Sequence, residues 1–279
     1  MKPGIHLDNP SLSTHYLRMI PYGSEEVIST GTGFIYEHNE EFFIITNGHN
    51  VTRTNPEQTT RLTDSAAFPI KIKSKAKLIS KDNPNALILS EFFHVDLYKD
   101  EDYTIPTWFV HPDKGYIVDV IAIPLEKKIT IPAHVQLFPI NKFKFDTEFY
   151  PIIADDVFIL GYPFDLTGNL ELPIWKRGTI ATEPSLNLNG LPRIYVDTAT
   201  RSGMSGSPVI MQRKGFHSLE GGVPGSEIIG TISNFVGVYS GRIGATDEFK
   251  AQLGIIWKEK VILEILEARK LGTTEFQKI

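Results

Sequence analysis

A chain of 279 residues that is 41% hydrophobic and 11% aromatic can bury one large core or two small ones, which excludes a disordered or fibrous polypeptide. Its 28 basic and 33 acidic residues are interspersed and leave a formal net charge of −5, so neither nucleic acid nor a membrane surface is an expected partner. The absence of cysteine removes disulfides, thiol nucleophiles and thiolate metal sites at once.

The first ten residues contain no continuous apolar leader region, and no apolar run of about 20 residues occurs anywhere. A soluble, cytoplasmic chain is therefore the expectation. Short apolar runs broken by turn residues argue for an all-β architecture. The expected strands of the first half lie at 26–29, 33–36, 42–45, 70–73, 86–89 and 120–123. From the fourth onward, Lys71, Lys73, Lys75 and Lys77 alternate with other residues and read as the exposed face of a strand. The run Phe42-Phe43-Ile44-Ile45 ends at Thr46, turn residues follow, and His49 falls just past the strand end, where scaffolds commonly hold reactive side chains.

After a polar, aromatic-rich connection near Asn141 to Thr147, strands are expected at 156–160, 176–180, 193–196, 208–211, 227–230 and 234–239. The segment 257–270 has a helical pattern, with Val261, Ile262, Ile265, Leu266 and Arg269 on one broad face and Leu271-Gly272 as a stop signal. The expected organisation is two six-stranded antiparallel β-barrels, at 1–140 and 141–256, followed by a C-terminal helical segment, 257–279.

The stretch Ser202-Gly203-Met204-Ser205-Gly206-Ser207-Pro208 suits a serine nucleophile. Gly203 permits a turn with φ > 0 that aims the amides of Gly203 and Ser205 into one small space, where an oxyanion would fit. Pro208 lacks a donor and suits the start of a strand. Alone, the segment reads equally well as a Gly/Ser turn between strands. A serine hydroxyl also needs a base, and among eight histidines only His49 stands in a fitting context.

Gly31-Thr32-Gly33-Phe34-Ile35 with Ile45-Thr46-Asn47-Gly48-His49, then Asp119-Val120-Ile121-Ala122-Ile123, then Gly203-Met204-Ser205-Gly206-Ser207-Pro208, resemble the trypsin-like (chymotrypsin-fold) serine peptidases, particularly the bacterial-type domains without an activation propeptide. The order His, Asp, Ser matches that family. The resemblance implies a chymotrypsin-like fold whose helix packs on the second barrel, and a serine endopeptidase acting on protein or peptide substrates with no cofactor and no metal. It gives Ser205 the role of nucleophile, His49 that of general base and acid, Asp119 that of orienting the imidazole, and the amides of Gly203 and Ser205 that of binding the oxyanion. Asp96, Asp100, Asp102 and Asp113 also lie between His49 and Ser205. Asp119 is preferred because it interrupts an apolar run, where a buried carboxylate needs a partner, whereas Asp96 and the Asp100-Glu101-Asp102 cluster look solvated.

The same resemblance implies a substrate-pairing segment, best matched by residues 238–242 with Ser240, Gly241 and Arg242, and preferred to residues 229–233 because Gly241 would leave the pocket wall open. Ala199, six before Ser205, takes the pocket-base position that is acidic in trypsins, so basic P1 side chains are expected to be poor. Gly161-Tyr162-Pro163 leads into residues 164–170, read either as a rim of the cleft or as a plain surface connection. His94 and Asp96 alone do not make a metal site. The remaining histidines, among them His15 and His111, read as surface or loop residues. The alternative function is a non-catalytic or latent protein-binding module on the same fold.

Overall fold

The computed structural model describes residues 8–79, 87–125, 137–199, 202–218, 227–242 and 253–279. A short helix, α1 (Asn9–Ser13), leads into β1 (Thr14–Pro21), followed by β2 (Ser29–His38), β3 (Glu41–Thr46), a one-turn helix α2 (Gly48–Thr52), β4 (Pro69–Ile79), β5 (Leu87–Asp96), β6 (Phe109–Val110) and β7 (Ile121–Leu125). The strands pair antiparallel in the order β5-β4-β1-β2-β3-β7-β6, so the closed six-stranded barrel expected here is corrected to a seven-stranded sheet with β5 and β6 at its ends. The sheet curves around one cluster that includes Leu17, Met19, Ile35, Ile44, Ile72, Val95, Trp108, Ile121 and Ile123.

β1 escapes a sequence reading for a physical reason. Every residue in it except Arg18 is buried, because both faces are covered, and a strand covered on both faces has no period-2 pattern to find. Of the run at 26–29 only Ser29 belongs to a strand, as the first residue of β2, while the Ile28 N–H donates to the Met19 carbonyl of β1 at 3.0 Å.

β4 alternates as expected as far as Ala76. A bulge between Lys75 and Lys77 in its pairing with β5 then reverses the alternation, so Lys77, expected on the exposed face, is 1% exposed. Its ammonium group donates to the Thr14 carbonyl and to the Tyr162 hydroxyl, the latter at 3.1 Å. His15 and His111 are likewise buried, contrary to the surface reading. His15 Nδ1 lies 3.1 Å from the Lys75 carbonyl and His111 Nε2 lies 3.1 Å from Glu264.

In the second half β8 (Asp156–Gly161), β9 (Ile174–Ile180), β10 (Arg193–Asp197), β11 (Pro208–His217), β12 (Ile228–Arg242) and β13 (Leu253–Lys258) close into a six-stranded barrel, in the order β10-β13-β12-β11-β8-β9. The two strands expected at 227–230 and 234–239 are a single strand, β12, while β13 occupies residues read as loop and helix start. β12 pairs with β11 along a long hairpin whose outer part leaves the barrel, so Ile229 is 85% exposed.

Helix α3 (Lys260–Ala268) begins three residues later than the pattern suggested, because Trp257 belongs to β13. Val261, Ile262, Ile265 and Leu266 are buried, each contributing roughly 1.5–3 kcal/mol. Arg269 is not a core residue: it ends the helix at φ 48° and pairs with Glu41 at 2.6 Å. Nor does α3 sit on the barrel alone. Its apolar face joins one cluster with Phe43, Phe109 and Val120 of the first half and Phe235, Val238 and Trp257 of the second. That shared cluster docks the halves against each other.

Candidate active site

The apolar strand β3 ends at the buried Thr46, and Asn47 opens the single turn of α2 that carries His49. Across from it, Asp119 lies just before β7 between Val118 and Val120, all three buried. The Val120 N–H donates to the Val118 carbonyl at 2.7 Å, a three-residue turn centred on Asp119. The carboxylate thereby meets α2 at two points. His49 Nδ1 lies 2.6 Å from Oδ2, and the His49 backbone N–H donates to Oδ1 at 3.0 Å. Gly48 leaves room for this contact, since a Cβ there would stand 3.3 Å from Oδ1. Asn47 Nδ2 holds the Asp119 main chain, donating to its carbonyl at 2.6 Å.

The hydroxyl of Ser240, on β12, donates to Asp119 Oδ2 at 2.5 Å. The alternative segment goes elsewhere: the Ser233 N–H donates to Asp146 at 2.8 Å. Of the acids between His49 and Ser205, Asp119 is the one in contact with the imidazole, while Asp100 accepts from the N–H groups of Thr104 and Ile105 in an exposed turn. Burial pulls the His49 pKa down, but the charge and hydrogen bond of Asp119 outweigh it and hold the imidazole above its ordinary 6.5. The side chains of His49 and Asp119 are 18% and 3% exposed, so this pair is little screened.

The serine turn is held from several sides. Gly203 has φ +90°, and a Cβ on it would stand 2.2 Å from the Tyr162 carbonyl oxygen; Gly206 has φ +86°, and its Cβ would stand 2.0 Å from the Thr32 carbonyl oxygen. Both positions demand glycine. The Ser202 carbonyl accepts from the Phe164 N–H at 2.9 Å, and the Met204 carbonyl accepts from the Ser207 N–H at 3.1 Å. Because peptides are trans, the N–H groups of Gly203 and Ser205 point the opposite way from those carbonyls. Among the described residues neither N–H has an intramolecular acceptor. These two N–H groups are the candidate donors to an oxyanion.

Thr32, Thr46 and Asn50 secure this turn to the first half, a role that the sequence reading did not assign them. The Ser205 carbonyl accepts from the Thr32 N–H at 2.9 Å and from Asn50 Nδ2 at 3.1 Å, and the Thr32 hydroxyl donates to the Gly203 carbonyl at 2.8 Å. For Thr46 and Asn50 the signal available was the cluster of short polar residues at the end of β3, whereas Thr32 lies inside β2. Residues 163–171 lie beside the turn, with Phe164 and Leu166 about 60% exposed and positive φ at Phe164, Asp165, Leu170 and Glu171.

A model of the trypsin-like peptidase domain family matches residues 31–216, which span the His49, Asp119 and Ser205 positions. The chain belongs to that family. This trypsin-like peptidase domain is similar to a crystal structure of the serine endoprotease from Yersinia pestis, with 11% identity and a TM-score of 0.49 over 95% of this chain and 67% of that one. It is also similar to Rv3671c from M. tuberculosis H37Rv in an inactive mutant form, with 15% identity and a TM-score of 0.45 over 95% of each chain. No curated relative matches.

Of the expected substrate residues in this trypsin-like domain, Ala199 is exposed and Ser240 faces Asp119. Gly241 has φ +65°, with open space where a side chain would begin. Arg242 is the last residue of β12, and its side chain lies outside the described ones. Among the described residues no group of three or more His, Asp or Glu side chains has a metal-binding arrangement, and no helix is long and apolar enough to cross a membrane.

Proposed function

We propose that this peptidase is a serine endopeptidase working through Ser205, His49 and Asp119 and an acyl-enzyme intermediate. The observation that carries the reading is the short contact of His49 Nδ1 with a nearly buried Asp119, on the same helical turn whose next residue bonds the Ser205 main chain. With Nδ1 donating to Asp119, Nε2 is left as the basic nitrogen. It takes the Ser205 hydroxyl proton as Oγ attacks the scissile carbonyl. The resulting oxyanion accepts from the N–H groups of Gly203 and Ser205. His49 then returns the proton to the departing amine, and water attacks the acyl ester by the same route in reverse.

Asp119 stays a carboxylate throughout, accepting from His49 and Ser240, and stabilises the imidazolium that forms transiently. The unit at 1–140 supplies base and acid, the unit at 141–256 supplies nucleophile and oxyanion donors, and a protein or peptide substrate lies between them against Gly241. With alanine at 199, P1 lysine and arginine are poorly accommodated.

A fluorophosphonate probe tests this directly. Covalent labelling that maps to Ser205, is abolished in Ser205→Ala and is weakened in His49→Ala is the expected result. Labelling unchanged in Ser205→Ala would overturn the assignment.

A further inference from the structure

We infer that Asn50 is a positioning residue that ties the imidazole-bearing turn to the main chain of the nucleophile, an inference that rests on the roles proposed for His49 and Ser205. Asn50 follows His49 on α2 and is 7% exposed. Its Nδ2 carries two hydrogens, and both are used: one goes to Thr46 Oγ1 at 2.9 Å, the other to the Ser205 carbonyl at 3.1 Å. A carbonyl only accepts, so the nitrogen of the amide, and not its oxygen, has to face Ser205. The Thr46 oxygen is free to accept because its own hydrogen goes to the Thr32 carbonyl at 2.7 Å.

Three first-half residues thus hold both carbonyls that flank Met204. Thr32 does so from β2 and Thr46 supports it from the end of β3. Asn50 is the member carried by the same helical turn as the base.

Gly31 is consistent with this role. A Cβ at that position would stand 2.7 Å from Asn50 Nδ2 and 3.0 Å from Oδ1. The backbone there lies outside the left-handed region, so it is the space filled by Asn50, not the conformation, that requires glycine. With no cysteine in the chain, no covalent bond fastens α2, and a five-residue helix has little stiffness of its own. Removing the Asn50 donor leaves the Thr32 N–H on the Ser205 carbonyl but cuts the direct tie between the two reacting groups. A misplacement of about 1 Å between base and nucleophile can cost about 10²-fold in rate while leaving substrate contacts intact.

The test uses the full chain and a fluorophosphonate probe, with the maximal labelling rate and the probe's half-saturation measured separately. Asn50→Asp preserves shape but turns a donor into an acceptor. It is expected to slow maximal labelling about 10- to 100-fold while half-saturation changes less than about 3-fold. The downfield proton resonance of the His49–Asp119 hydrogen bond should persist, a signature that general unfolding would erase.

Should Asn50→Asp fail to fold, Asn50→Ala and a double-mutant cycle with Gly31→Ala carry the test. Gly31→Ala is expected to slow labelling when Asn50 is present and to cost little in Asn50→Ala, where the obstructing amide is gone. Wild-type labelling rates in Asn50→Asp, or effects of Gly31→Ala and Asn50→Ala that simply multiply, would overturn the inference while leaving the Ser205 assignment standing. Labelling that survives Ser205→Ala would instead remove the assignment, and this inference with it.

Discussion

Replacing Asp119 by asparagine changes one oxygen into an NH₂ group and little else, and the local hydrogen bonds dictate where that group goes. Oδ1 faces the His49 backbone N–H, which only donates, so the amide oxygen must take that side. The NH₂ then falls at the Oδ2 position, facing Ser240 and His49 Nδ1. The Ser240 hydroxyl can rotate to accept. The imidazole can accept only by giving up its Nδ1 proton, which moves its hydrogen to Nε2, the nitrogen that must receive the proton of Ser205. The fold stays and the base is lost. An equivalent change in a serine peptidase triad costs about 10⁴ in kcat, or about 5.4 kcal/mol of transition-state stabilisation. Ester hydrolysis and fluorophosphonate labelling, measured with thermal unfolding as a control, should show a loss of that order in Asp119→Asn with Tm little changed. Activity within about 10-fold of wild type would refute the proposed route of the proton.

The same pair sets the pH response. Activity requires neutral His49, so the acid limb of kcat/KM should lie above the ordinary imidazole value of 6.5 in wild type and fall below it in Asp119→Asn, where burial acts alone. The stability contributed by the pair runs the other way, full below 6.5 and lost as pH rises through the raised value, which pH-resolved unfolding would detect. For Lys77, burial drives the pKa down to about 7, with Glu171 opposing and Arg18 adding to the shift. The unfolded chain therefore binds more protons between about 7 and the ordinary 10.5, and stability should rise with pH across that window. Lys77→Met should flatten the rise and raise Tm most below pH 7; an unchanged slope in urea unfolding would contradict this. Gly203→Ala combines a φ of +90° with a Cβ 2.2 Å from the Tyr162 carbonyl, so a loss of more than about 1–3 kcal/mol or of labelling is expected, and an unaltered variant would mean the turn is not as described.

Much of the candidate site was legible in the sequence because each proposed member sits at a local signal. An apolar strand running into turn residues marks His49, an acid inside an apolar run marks Asp119, and glycines around a serine mark Ser205. These signals are local, and so they survive without coordinates. The choice of Ser240 over Ser233 rested on Gly241 alone; the fold adds that Ser240 bonds Asp119 whereas Ser233 bonds Asp146. Asn50, Thr32 and Thr46 carried no usable mark, since a short polar residue within a strand or near its end is ordinary until its partner from the other half is known.

What the sequence determined by itself was the all-β class, the strand cores at 33–36, 42–45 and 156–160, and the apolar stripe of α3, because these rest on period and turn chemistry within a dozen residues. Tertiary structure decided what depends on a second surface. β1 is a strand although it lacks alternation, because both its faces are covered. Lys77 is inside because a bulge reverses the faces of β4. β12 is one strand rather than two because β11 pairs with it from Ile228 to Val238, across the expected break, and α3 bridges the halves because its stripe meets apolar surface from both. Pattern within a segment is a property of the segment, whereas coverage, register and long-range hydrogen bonds belong to pairs of segments, and only the folded chain brings those pairs together.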